Sequence, residues 1–259
     1  MMSPRSSDLL KLAMPWLVMG GLLLIWELAC VLLGIQEIVL PKPTRIIEVM
    51  INRADILLRF CLETLWTTVV GFGLAIVFGL LLGLAVGASP YVYSGLYPLL
   101  IAFNAVPKVA IVPILIIWLG VGAAPAIITA FVISFFPIVV NVATGLATIE
   151  PELQDVMRSL GASRWDTLTK IGIPRAMPYL FGSLKIAITL AFIGSVIAET
   201  VGGNRGIGFL MLSAGARNDT ATTFAGLFSI AIMGVLMYAI CAVFERRMTR
   251  WAFRGELLG

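Results

Sequence analysis

The sequence predicts an all-α membrane protein with six transmembrane helices, and three observations predict it. Apolar runs of about 20 residues, enough to cross about 30 Å of hydrocarbon, recur along its 259 residues. Charged residues make up 12% of the chain, about half the level of a soluble domain. The mean hydropathy is +1.03. Helices are the form these runs must take, because backbone groups in lipid have to bond within their own segment.

The first predicted span is Met14–Gly34, longer than the core of a signal peptide. Pro41 and Pro43 stop its continuation, and Thr44 is a candidate cap for a new helix. From there Ile46, Ile47, Met50, Ile51, Leu57 and Leu58 recur at helical spacing among Arg45, Glu48, Arg53, Asp55 and Arg59. This pattern predicts an amphipathic helix lying on the outer face, either as a shelf for an external partner or as a seal on the bilayer edge.

The second span is Leu65–Gly87, with small residues at every fourth position: Gly71, Ala75, Gly79, Gly83 and Gly87. Such a ridge brings helix backbones close, within the subunit as the favoured reading or across a dimer. The third span is Leu96–Gly120, which Pro107 and Pro113 interrupt, and the fourth is Pro125–Leu146. Polar residues inside spans are costly and usually pair or line a wet path. Asn104, Lys108, Asn141, Ser134 and Ser195 are therefore the candidate lining of a substrate path. Glu27 lies at a depth similar to that of Lys108, so either the two form an ion pair or Lys108 faces the path and attracts an anion.

The fifth and sixth spans are Tyr179–Glu199 and Phe224–Phe244. Between them Gly203, Asn204, Arg205, Gly206 and Gly208 form a glycine-rich outer loop, predicted to be tight and partly re-entrant. Its order is GxxGxG, with no soluble strand before it and no GK[ST], so it is not a nucleotide cradle. After Phe244, Arg246, Arg247, Arg250 and Arg254 with Trp251 and Phe253 anchor the chain at an anionic leaflet.

Arginine and lysine set the topology. With both termini inside, ten basic residues are cytoplasmic: Arg5, Lys11, Arg158, Arg164, Lys170, Arg175, Arg246, Arg247, Arg250 and Arg254. Six are outside: Lys42, Arg45, Arg53, Arg59, Arg205 and Arg217. That bias puts the longest polar stretch, Thr148–Pro178, in the cytoplasm. The chain reads as one transmembrane domain over residues 1–259, with residues 148–178 as a hairpin within it.

The hairpin has a readable design. Leu153, Val156, Met157 and Leu160 form one apolar stripe, with Pro151 in the first turn and Glu150 and Glu152 at the positive end. Gly161 ends this helix in a left-handed corner. Ser163 caps a second short helix with Asp166, Trp165 and Leu168 extend the apolar face, and Pro174 stops it. A balanced charged rim around an apolar stripe ending in tryptophan is the composition of a docking surface.

Catalytic chemistry finds no footing. The chain has no histidine, which excludes Ser-His and Cys-His nucleophiles and histidine-bearing zinc sites. Its three cysteines, Cys30, Cys61 and Cys241, are scattered without a CxxC pair, so no metal site is expected. The net charge of +4 belongs to the loop bias and is no nucleic-acid footprint.

Asp155-Val156-Met157, three residues, Gly161, nine residues, then Ile171-Gly172-Ile173-Pro174 resembles the EAA…G…I-x-L-P signature of permease subunits of binding-protein-dependent ABC importers. Asp, Val and Met stand where that pattern has Glu, Ala and Ala, and Ile173 replaces leucine. The stretches LPKPTRIIEVM, SLGASRWDTLTKIGIPRAMPYLFGSLK and ETVGGNRGIGFLM are similar to the nitrate/sulfonate/taurine branch.

The resemblance implies a type I importer fold in the bacterial inner membrane. It also implies a homodimer, two cytoplasmic ATP-binding cassette ATPases and an external solute-binding protein. Asp155, Val156, Met157, Arg158, Leu160, Gly161, Ala162, Ser163, Arg164, Trp165, Ile171 and Pro174 would then couple to the ATPase. ATP and magnesium would be bound by that partner, with no cofactor in this chain. The cargo would be a small anion such as nitrate, a sulfonate or taurine, or an uncharged heterocycle such as a pyrimidine vitamin precursor. An ion-coupled secondary transporter and an intramembrane enzyme are the rival classes; Glu27 reads as the lone mid-span acid, and no catalytic cluster exists.

Overall fold

A computed structural model describes residues 4–249. Among the described residues the chain is helical, with no strand. Five helices are long and apolar enough to cross a membrane, or six if one bent pair counts as a span. By internal packing the chain forms two compact units, one of residues up to Leu58 with Leu210–Ser229, the other of Arg59–Phe209 with residues from Ile230 onward.

In the first unit α1 (Pro4–Leu32) is followed by the short α2 (Pro43–Asn52). The amphipathic helix is shorter than its periodicity predicts. The chain turns at Arg53, so Leu57 and Leu58 belong to α3 (Ala54–Ala88). Lys42 is the N-cap of α2, with Pro43 in its first turn. Thr44 is used differently: its amide and hydroxyl donate to the Glu27 carboxylate at 3.1 and 2.9 Å. Ile46 and Val49 are buried on the inner face of α2, and Ile47 and Ile51 stay exposed. Trp26 of α1 lies 5.8 Å from Phe224 and 6.1 Å from Phe228, ring to ring, in the first turns of α11 (Thr220–Met248). Arg53 is paired with Asp219 at 2.7 Å and also donates to Thr222.

The second unit is built around α6 (Ala123–Ala147). Half of the most apolar stretch of α6 is buried, against 6% in α1 and in α11. Phe135, Ile138, Val139, Val142 and Ala143 of α6 share one core with Ala75 and Val86 of α3, Leu100 of α4 (Pro90–Ala105), and Leu180 and Ala187 of α9 (Ile173–Gly202). The small-residue ridge of α3 makes this approach possible and packs within the subunit. A Cβ at Gly71 would lie 2.6 Å from Ala130 Cβ, one at Gly79 2.8 Å from Ile138 Cβ, and one at Gly83 2.7 Å from Val142 Cβ. Gly145 and Gly194 do the same between α6 and α9, against Ala176 and against Thr129 and Ala130.

The predicted third span is not one helix. It starts at Pro90, breaks after Ala105, and resumes as a 3-10 turn (Lys108–Ile111) and α5 (Val112–Leu119), bent by 80°. Pro107 lacks a backbone donor and pushes Val106 before it to extended backbone. Pro113 interrupts nothing, since it sits in the first turn of α5, where no donor is needed, and Val112 before it stays helical. The fifth span begins earlier than Tyr179, and Pro174 does not stop the second hairpin helix. The short α8 (Arg164–Thr167) runs through one π turn (Leu168–Gly172) directly into α9. A π turn shifts the hydrogen-bond register, which lets the helix absorb a proline. Lys185 of α9 and Glu245 of α11 form an ion pair at 2.6 Å, a pairing the sequence reading does not contain.

Gly83→Val places a branched side chain against Val142 and is expected to cost about 1–3 kcal/mol of stability by overpacking. The drop in thermal stability of the detergent-purified chain measures it. Gly73→Ala, at a position with open space around it, is expected to leave that stability unchanged.

Candidate functional site

The hairpin is rigid by local design. Its first helix, α7 (Pro151–Ser159), carries Pro151 and Glu152 in its first turn and Arg158 in its last. It ends in two bonds, Ala162 N–H to the Met157 carbonyl and Gly161 N–H to the Arg158 carbonyl, both 3.0 Å. Gly161 sits at φ +77°, so this is the Schellman stop, and a Cβ there would be strained whatever the space. The next helix opens with a reciprocal capping box. The Asp166 amide donates to Ser163 Oγ at 3.1 Å, and the Ser163 amide and hydroxyl donate to Asp166 Oδ2 at 3.1 and 2.6 Å.

The charges of the rim pair within the hairpin. Arg158 meets Asp155 at 3.2 Å, Lys170 meets Asp166 at 2.9 Å, and Arg175 meets Glu150 at 3.2 Å, closing the base. Buried Gly172 lets the π turn of the hairpin lie against Leu146 of α6, whose Cδ2 is 3.0 Å from where a Cβ would be. Ile171 is half-buried beside it, and Pro174 is exposed.

The apolar stripe is left uncovered. Leu160 is 75% exposed, Trp165 70% and Val156 53%, while Leu153 and Met157 are half-buried. The tethered corner thus holds a bare tryptophan, leucine and valine in place. The side chain of Arg164 lies outside the described residues, as do Arg250, Trp251, Phe253 and Arg254 of the predicted C-terminal anchor. Arg246 and Arg247 occupy the last turn of α11.

The five path candidates are placed as follows. Lys108 Nζ donates to both the backbone oxygen and Oδ1 of exposed Asn104, so one ammonium closes the last turn of α4 where Pro107 breaks it. Half-buried Asn141 donates to the Pro137 carbonyl at 2.8 Å, and buried Ser134 to the Ala130 carbonyl at 2.6 Å, each within α6. Glu27 and Lys108 thus have local partners, Thr44 and Asn104. Ser195 is buried and shares a hydrogen bond with Thr67 of α3.

That last bond belongs to a cluster the sequence reading missed. Glu199, placed there at the edge of a span, is 4% exposed. Its Oε2 accepts from Thr64 Oγ1 at 2.8 Å and from the Gly208 amide at 3.0 Å. The Gly206 amide donates to Glu63 Oε2 at 3.0 Å and the Ile207 amide to Thr64 Oγ1 at 2.8 Å. The outer loop therefore holds a full helix, α10 (Gly206–Ala216), three of whose free N-terminal amides are met by side chains. The glycine order follows. A Cβ on Gly206, which sits at φ +82°, would collide with the Glu199 carboxylate, and one on Gly203 or Gly208 would lie within 3 Å of Glu199 atoms. Gly203 caps α9, and Asn204 and Arg205 are exposed. An acid at the end of an apolar span with glycines closely spaced after it is the signal that marks this cluster in sequence.

Residues 75–250 match the family described as the binding-protein-dependent transport system inner membrane component. The chain is 31% identical over 255 residues to the riboflavin transport system permease protein of Chloroflexus aurantiacus, covering 96% of this chain and 95% of that one. It is 30% identical over 244 residues to the taurine transport system permease protein of Escherichia coli, covering 91% and 88%. Its fold is that of a chain of the MetNI methionine ABC transporter solved in an inward-facing conformation, with a TM-score of 0.66, 22% identity, and 76% and 98% of the two chains covered. The chain therefore belongs to the inner membrane component family of binding-protein-dependent transport systems, and it is a permease subunit of an ABC importer, a transport subunit whose ATP hydrolysis is done by partner ATPases.

Proposed function

We propose that two copies of this chain form the translocation path of a small solute in the bacterial inner membrane, with both termini cytoplasmic. Each copy seats residues 148–178 in a groove of a cytoplasmic ATP-binding cassette ATPase, and an external binding protein delivers the solute to the outer face. ATP and magnesium belong to the ATPase. The observation that carries this reading is the bare stripe of Val156, Leu160 and Trp165 on a corner locked by the Gly161 stop and the Ser163–Asp166 box. Such a corner transmits force because it has no cheap way to bend. The π turn into α9 then joins the docked element to a transmembrane helix without a flexible joint. A ligand or nucleotide state biases a two-state cycle only through differential contacts, and a rigid knob in a closing groove provides them.

For the cargo, the relative named for taurine transport and the charge of Lys108 support a small anion. A second reading, an uncharged heterocycle such as a pyrimidine vitamin precursor, is favoured because the Lys108 ammonium already donates to two Asn104 oxygens and so offers less of its charge to an anion.

Trp165→Ala is expected to weaken ATPase association by about 2 kcal/mol, roughly 30-fold, as for a central aromatic anchor. Copurification of the ATPase at graded concentration reads it, and undiminished recovery contradicts the anchor role. Gly161→Val forces a branched residue to φ +77°, with a strain of about 1–3 kcal/mol that the corner relieves by changing shape. ATP-driven uptake into proteoliposomes is expected to fall to background while helicity by circular dichroism is unchanged. Retained uptake argues against the lever.

A further inference from the structure

The cluster around Glu199 borders a cavity of about 110 Å³ whose wall also carries Glu63, Trp66, Thr67 and Arg205. That volume suits a functional group of a ligand and not a whole drug-sized molecule. The hydrogen bonds at Glu199 are unequal. Oε2 has two good donors, Thr64 and the Gly208 amide. Oε1 has only Thr67 Oγ1, at 3.5 Å. Thr67 owns a single proton, which this long contact shares with the Thr64 carbonyl at 3.0 Å and with Ser195 Oγ. Among the described residues, Oε1 of this buried carboxylate is therefore met by one long and contested bond. A buried acceptor so weakly met gains from a donor entering the cavity.

We infer that this cavity is a subsite for an N–H donor group, such as a primary ammonium, an amidine or an amino group on a heterocycle, borne by the transported solute. The inference rests on the importer reading and, for the cargo, selects a zwitterion or the heterocycle over a bare anion. Glu63 supplies a second carboxylate, against the single guanidinium of Arg205, so the wall is net acidic and disfavours a bare oxyanion. The Trp66 indole, 64% exposed, offers an apolar and cation-accepting face to the same group. A zwitterion can use the subsite through its ammonium; nitrate or an alkanesulfonate without nitrogen cannot.

The probes are acetamidinium and methanesulfonate, close in size and opposite in charge. Binding is read by ligand-observed saturation-transfer NMR on the full chain in lipid nanodiscs. Acetamidinium is expected to bind at least tenfold more tightly than methanesulfonate. Glu199→Gln, which keeps an acceptor for Thr64 and Gly208 and turns Oε1 into a donor, is expected to weaken acetamidinium at least tenfold. Where that variant does not fold, Glu63→Gln is expected to weaken it at least threefold. Equal or tighter binding of methanesulfonate by the unaltered chain overturns the subsite, as does acetamidinium affinity within twofold in Glu199→Gln. The readout needs no ATPase. ATPase association measured in parallel therefore separates the two readings: acetamidinium preference without association counts against the importer reading alone, and association without preference counts against the subsite alone.

Discussion

Each backbone group placed in lipid must find a partner inside the protein, and that requirement decides where this chain puts its few polar side chains. At the helix breaks a side chain or a backbone capping turn replaces the missing bond. At the Pro107 break it is Lys108, on the Asn104 backbone carbonyl of α4. At the start of α10 it is Glu63, Thr64 and Glu199, on three successive amides. At the hairpin corner it is the Schellman pair and then Ser163 and Asp166. Where helices are unbroken the same requirement needs no side chains, and close packing takes over: α3 meets α6 along glycine contacts, and so does α9. The breaks are thus the places where polar side chains concentrate.

The contrast between the two ends of α9 shows this. Its N-terminal end is joined through a π turn to a corner carrying exposed Leu160 and Trp165. Its C-terminal end carries Glu199, buried against α3 and α10. One helix of 30 residues, about 45 Å long, thus joins an exposed apolar corner to a buried carboxylate. Packing of α9 on α6 through Gly145 and Gly194 makes it a stiff link. A displacement imposed on the hairpin has little to absorb it before it reaches the acid.

Much of this was legible beforehand, for physical reasons. Hydropathy identifies the spans because a lipid-facing helix has no alternative composition. The hairpin is legible because caps are local: Gly161, Ser163 and Asp166 act within a few residues of themselves. The ridge from Gly71 to Gly87 is legible as a contact surface because four-residue spacing has one meaning on a helix. What escaped depends on which distant residues meet. Thr44 reads as a cap, but Glu27 of α1 takes its donors. Pro174 reads as a stop, because the π turn that accommodates it has no local signature. Lys185 and Glu245 lie 60 positions apart and become a pair only in the fold. Glu199 reads as the edge of a span, since its threonine partners lie more than 130 residues earlier.

The central claim is that the apolar corner of the hairpin is occupied by an ATPase in the working importer. Replacing Leu160 by a photo-crosslinking amino acid tests it directly, in the full complex within proteoliposomes. The account predicts an ATPase adduct from that position, and none when the same group is placed at Val235, which is 69% exposed on α11. An intact complex that transports on ATP yet gives no ATPase adduct from position 160 would contradict it.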